Sequence, residues 1–221
     1  MRRKICCIKT FYGANPGGAC DEGIPETLAA NPDYTAIVNA RHYQRLMGLI
    51  DDARTKGARI VSLNPAAENL PAAARKIAPT LILDVTDDMK VMQEEIFGPL
   101  LPVEACADLD DAIRRVNARP HPLALYWFGS DAARRERVLQ DTMSGGVTVN
   151  DTLLHFANEA LPFGGVGPSG QGAYHGERSF ILFSNEKPVF SQSRFAGSRL
   201  LYPPYGAMFD RVLGVLNRLK G

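Results

Sequence analysis

The stretch LLPVEACADLDDAIRRVNARPHPLALYWFGSDAARRERVLQDTMSGGVTV, Leu100 to Val149, decides the fold class. It opens on a short apolar run over 100–105 that predicts a strand. The spacing then changes to the helical period, with Leu109, Ala112, Ile113 and Val116 on one face of a helix expected over 108–119. A second strand is expected over 123–128. A second helix follows, opened by Ser130 as N-cap and running to about residue 142. The run over 145–149 is the next strand. Strands alternating with helices of this length predict βαβ units on a mostly parallel sheet, so the fold class is α/β.

Upstream, Ile37, Tyr43, Leu46, Met47, Ile50 and Ala53 recur at three and four residues, and Gly57 closes the run, which predicts one long amphipathic helix. Short strands are expected over 59–63 and 80–85. Residues 1–30 carry a basic start and the break Asn15-Pro-Gly-Gly18 with no sustained apolar period, and are expected to be irregular and weakly ordered. Downstream, residues 150–176 form a loop rich in chain breakers. In open α/β sheets ligands meet residues beyond the carboxyl ends of strands, so chemistry is sought in that loop. The run Ser179-Phe-Ile-Leu-Phe183 is expected to resume a strand. Residues 191–221 read as a tail, with a break at Pro203-Pro204 and then a short amphipathic helix carrying Phe209, Val212, Leu213, Leu216 and Leu219.

Composition excludes several classes. The 221 residues are 45% hydrophobic and 22% charged, as in ordinary globular chains. The 25 Lys and Arg against 24 Asp and Glu leave a net charge of +1, which is no footprint for nucleic acid. No run reaches the length of a membrane span, and the apolar part of the N-terminus is too short for a signal peptide, so a cytoplasmic location is expected. Cys6, Cys7, Cys20 and Cys106 form no C-x-x-C pair, and His42, His121, His155 and His175 are too far apart to share a helical face. No metal site is expected.

The literal G-x-G-x-x-G over Gly165 to Gly170 follows Pro162 and Phe163, contains Pro168, and leads into a glycine-rich stretch over 171–176 unfit to start a helix. It is therefore read as a loop needing unusual backbone angles rather than a dinucleotide fingerprint. Cys6 and Cys7 lie among Arg2, Arg3, Lys4 and Lys9, which favours thiolate, yet no oriented base or oxyanion donor accompanies them. Gln93-Glu-Glu-Ile-Phe-Gly-Pro-Leu100 is ambiguous on its residues alone. A carboxylate accepts both hydroxyls of a ribose and an aromatic packs on a flat ring, but a capped, half-buried turn has the same composition.

Glu94-Glu-Ile-Phe-Gly-Pro99 together with Leu161-Pro-Phe-Gly-Gly-Val-Gly-Pro-Ser-Gly170 resembles the aldehyde dehydrogenase superfamily. Pro122-Leu-Ala-Leu-Tyr126, Ser144-Gly-Gly-Val147, Val149-Asn-Asp151, Tyr174-His-Gly176 and Tyr202-Pro-Pro204 resemble its class 3-like branch, which includes coniferyl aldehyde dehydrogenases. The resemblance covers about residues 31–210 and corresponds to the C-terminal part of a family member. It implies a partial catalytic domain over 31–190, an open sheet with flanking helices, and no N-terminal Rossmann domain in this chain. It also implies NAD or NADP as cofactor and an aromatic or otherwise hydrophobic aldehyde as substrate. In that family a cysteine thiolate attacks the aldehyde, hydride passes to the nicotinamide, and a glutamate-activated water releases the acid.

Carried over motif by motif, Glu95 matches the glutamate that binds the nicotinamide ribose and Phe97 the aromatic beside the nicotinamide. Phe163 matches an aromatic of the substrate tunnel, and Asn150 and His155 fall on the loop that shapes it. Phe11-Tyr-Gly13 resembles the end of the helix that follows the nucleophile. Cys6 and Cys7 stand too close to it and Cys20 lies beyond it, so neither the nucleophilic cysteine nor the base glutamate is expected in this chain. Residues 15–27 depart from the family pattern. The resemblance implies a homo-oligomer, or pairing with an N-terminal half of an aldehyde dehydrogenase. The alternative is a non-catalytic fragment pairing with a full-length relative.

Overall fold

The computed structural model describes residues 4–7, 26–195, 202–203 and 205–220. Residues 1–183 form one compact unit and 184–221 another. The expectations placed on the start of the chain fall mostly outside the described residues, as do the side chains of Cys6, Cys7 and Cys20.

The first unit is built on helix α1 (Ala40–Thr55). Asn39 caps it by accepting from the His42 amide at 2.9 Å, and Gly57 leaves it with φ +96°, a left-handed conformation that favours glycine. Tyr43, Leu46, Leu49, Ile50 and Ala53 recur on one face and are buried. They pack on Ile77, Ile82, Met89, Val91, Ile96 and Leu100 to form the core, where each large aliphatic side chain contributes about 1.5–3 kcal/mol by leaving water. Strands β1 (Lys4–Cys7), β2 (Arg59–Ser62), β3 (Thr80–Leu83) and β4 (Leu100–Cys106) form a sheet in the order β1-β4-β3-β2. The β3–β4 pair is parallel, joined through the one-turn helix α2 (Lys90–Gln93), while β1–β4 and β2–β3 are antiparallel.

Helix α3 (Leu109–Asn117) follows, capped by Asp108, whose side chain accepts from the Asp111 amide at 2.8 Å. Strands β5 (Ala124–Trp127) and β6 (Gly146–Val149) pair in parallel as a separate two-stranded sheet, with helix α4 (Ala132–Asp141) between them. The α/β class stands. The described strands, however, divide into two sheets with two parallel and two antiparallel pairings rather than one mostly parallel array. The cap of α4 is Asp131, not Ser130, because Asp131 is the residue whose side chain reaches the Arg134 amide at 3.0 Å.

After β6 come the one-turn helix α5 (Leu154–Ala157), a 3-10 turn at Gly167–Ser169, and helix α6 (Gly176–Leu182). The strand expected over 179–183 is thus a helix. Ser179 anchors its first turn by accepting from the His175 amide at 2.8 Å. Phe180 and Phe183 are 75% and 85% exposed, so among the described residues no sheet face receives their side chains. The second unit contains helix α7 (Ala207–Lys220), the amphipathic element expected from the tail, with Tyr205 packed on Phe209 at 4.6 Å between ring centroids.

Candidate functional site

The candidate residues fall on two connections. The first is the turn between α2 and β4. Ile96 is buried in the core, so its neighbours on either side, Glu95 and Phe97, both face outward. Phe97 is 73% exposed and adopts φ +47°, an uncommon conformation for a bulky residue that marks a turn held by its surroundings. Two residues of α1 do the holding. The Arg45 guanidinium donates to the carbonyl oxygens of Glu95 at 3.0 Å and Ile96 at 2.5 Å and lies 3.8 Å from the Glu94 carboxylate. Leu46 closes against Gly98 so tightly that a Cβ there would stand 2.5 Å from its Cδ1. The outcome is a carboxylate and an aromatic ring presented side by side on a fixed backbone.

The second connection follows β6. Asn150, at φ +56°, donates its amide to the Trp127 carbonyl at 2.7 Å, and its side-chain oxygen accepts from the Gly129 amide at 2.7 Å. Its side chain ties together the carboxyl ends of β5 and β6. His155, on α5, folds back under β6 and is 8% exposed. Its Nδ1 lies 2.8 Å from Thr148 Oγ1, which also accepts from the His155 amide, and Gly146 leaves the room, since a Cβ there would meet the imidazole at 2.5 Å. Nε2 of His155 is buried without a hydrogen-bond partner.

Phe163 is the hub of this connection. It exchanges two backbone hydrogen bonds with Tyr174, at 2.8 and 2.9 Å, which pins the base of the glycine loop. Its ring touches those of His155, Phe156, Tyr174 and His175 at centroid distances of 5.9, 5.0, 5.6 and 6.0 Å. Between them, Gly167 and Gly170 take φ +60° and +151°, as the rejection of a dinucleotide fingerprint at Gly165–Gly170 anticipates. The structure therefore brings Phe163 and His155 into contact, sets Asn150 on the same connection, and places Glu95 and Phe97 on another. Sequence reasoning did not single out Arg45 or the His175 ring; the only signal for His175 is its place in Tyr174-His-Gly176.

Burial holds the His155 ring below the ordinary histidine value of 6.5. The unfolded chain takes up the proton near that ordinary value, whereas the folded chain resists it to lower pH. Stability carried by this group is full above about pH 6.5 and is lost as the pH falls through the depressed folded value. His155→Gln is expected to flatten the decline in urea midpoint between about pH 8 and about pH 5. A variant whose midpoint falls as steeply as that of the parent removes the assignment.

Among the described residues, no group of three or more His, Cys, Asp or Glu is placed to hold a metal ion, and no helix is long and apolar enough to cross a membrane. Cys106 is buried on β4. Comparison with known proteins decides the family, because residues 23–189 match the model of the aldehyde dehydrogenase family. The chain belongs to the aldehyde dehydrogenase family. It is 59% identical over 183 residues to a probable coniferyl aldehyde dehydrogenase of Caulobacter vibrioides, covering 81% of this chain and 38% of that protein. It is 52% identical over 222 residues to the coniferyl aldehyde dehydrogenase of a Pseudomonas species, covering 95% of this chain and 46% of that protein. The structure resembles the substrate-bound state of Staphylococcus aureus AldH with a TM-score of 0.67 at 42% identity, over 85% of this chain and 39% of that one. It also resembles the Pseudomonas syringae AldA indole-3-acetaldehyde dehydrogenase in complex with NAD+ and IAA, with a TM-score of 0.58 at 27% identity, over 66% and 29%. This aldehyde dehydrogenase chain thus spans less than half the length of these relatives, matching the C-terminal portion of the coniferyl aldehyde dehydrogenases.

Proposed function

We propose that the chain is part of an NAD(P)-dependent aldehyde dehydrogenase that oxidises a coniferyl-type or other hydrophobic aldehyde to its acid, with the cysteine nucleophile and glutamate base supplied by sequence outside it. The observation that carries this reading is the turn over 94–98, which presents a carboxylate and a solvent-facing aromatic ring on a backbone held from α1. A carboxylate accepts from both hydroxyls of a ribose, and a ring packs on a nicotinamide. The residues fit that end of the cofactor, which supplies a hydride acceptor when bound.

Glu95 would hold and orient the ribose, and Phe97 would pack against the nicotinamide and exclude water there. Phe163, backed by His155, His175 and Phe156, offers an apolar wall suited to an aromatic aldehyde, and Asn150 fixes the loop that carries that wall. The substrate class rests on this wall and on the likeness to coniferyl aldehyde dehydrogenases.

Phe180 and Phe183, exposed three residues apart at the end of α6, also favour a second reading, a non-catalytic piece that pairs with a longer relative in the cytoplasm, since exposed apolar patches mark interaction surfaces. One experiment separates the two. The chain is mixed with the upstream portion of the Pseudomonas coniferyl aldehyde dehydrogenase, and NADH or NADPH formation is followed with coniferyl aldehyde, alongside size-exclusion chromatography. The chain alone is expected to be silent and the mixture active. Co-elution without turnover selects the non-catalytic reading, and turnover by the chain alone overturns the placement of the nucleophile elsewhere.

A further inference from the structure

The unusual backbone at Phe97 has no local cause in sequence, for the turn contains neither asparagine nor a glycine at that position. Its cause lies fifty residues away. We infer that Arg45 is a positioning residue for the nicotinamide end of the cofactor, acting through the Glu95–Phe97 backbone; this rests on the proposed role of that turn.

The geometry is specific to arginine. Nη1 and Nη2 reach two successive carbonyl oxygens, those of Glu95 and Ile96, and such a planar fork presents paired donors that an ammonium cannot match. The Glu94 carboxylate lies 3.8 Å from Nη1 of the same guanidinium. Both carbonyls must point toward α1 for the fork to be satisfied. This forces residue 96 inward and residues 95 and 97 outward. Leu46, one residue on, fills the space under Gly98. Without the fork the backbone at Phe97 is free to relax to negative φ, which swings the ring away and rotates the Glu95 carboxylate from its neighbour. Arg45 itself is partly exposed and sits on the rim of the core, so the core cluster of α1 does not depend on it.

The test uses the full chain and nicotinamide mononucleotide, which carries the ring and ribose that the turn would meet but needs no adenosine site. Amide resonances of residues 94–98 are followed by NMR during titration, with the thermal midpoint measured in parallel. Arg45→Lys, which keeps the charge and loses the fork, is expected to weaken binding roughly tenfold, and Arg45→Met about a hundredfold, with the midpoint little changed. Amide exchange at 95–98 is expected to quicken in both. Affinity equal to that of the parent in Arg45→Met, where Glu95→Gln weakens it, overturns the role of Arg45 alone. No response of residues 94–98 in the parent chain, or a response indifferent to both substitutions, overturns the cofactor reading of the turn and this inference with it.

Discussion

Gly165→Ala is expected to cost about 3 kcal/mol or more and to lower the urea midpoint of the chain accordingly. An added Cβ would overlap the carbonyl group of Ser169 and stand 2.5 Å from the amide nitrogen of Gly170. All of these are backbone atoms, so no flexible side chain is available to swing aside. The turn cannot simply open, because Ser169 Oγ accepts from the Val166 amide at 2.9 Å and donates to the Val166 carbonyl at 3.1 Å. Relief requires the loop to separate from the Phe163–Tyr174 bridge that pins it, so near-UV circular dichroism from the ring cluster should weaken as well. Gly48 is the internal comparison. It lies in α1, where nothing stands within 4 Å of a built Cβ, and Gly48→Ala is expected to stabilise by about 0.5–1 kcal/mol. Equal midpoints for the two variants would refute the close approach at Gly165.

Glu95→Gln, assayed in the complemented enzyme, is expected to reduce kcat/KM for NAD+ by roughly 10- to 100-fold, the range set by losing a charge-assisted hydrogen bond. The amide keeps the shape of the carboxylate but loses its charge and puts a donor in place of one accepting oxygen, so the paired charge-assisted hydrogen bonds to the two ribose hydroxyls are lost. The aldehyde KM should move little, since the Phe163 wall lies on another connection. Because Glu95 is exposed and its backbone is held by Arg45, the substitution should leave the unfolding midpoint unchanged. A kinetic loss at constant stability therefore reports on the cofactor rather than on folding. Unchanged NAD+ kinetics would remove Glu95 from the proposed site.

How much of this was legible beforehand differs from element to element. The period of Tyr43, Leu46, Ile50 and Ala53 announces α1 because burying one helical face demands it, and Gly57 and the strands flanking α4 follow from similarly local rules. The 179–183 run failed because four apolar residues carry no period, and what settles helix against strand is whether a sheet edge waits nearby. Ser130 and Asp131 are both good caps, and only the position of the first helical turn chooses between them. The motifs at 94–99 and 161–170 revealed the family, while their chemistry on residues alone stayed ambiguous.

By itself, the sequence determined the α/β class, the long first helix and the glycine loop, since each rests on periodicity, capping or steric demands that act within a few residues, while its motifs carried the resemblance to the family. Only the tertiary structure decided that the strands divide into two sheets, that Phe163 gathers His155, His175, Tyr174 and Phe156 around it, and that Arg45 reaches across fifty residues to hold the turn of Glu95 and Phe97. Those outcomes depend on which distant groups meet once the core of α1 has closed, and separation along the chain carries no record of such meetings.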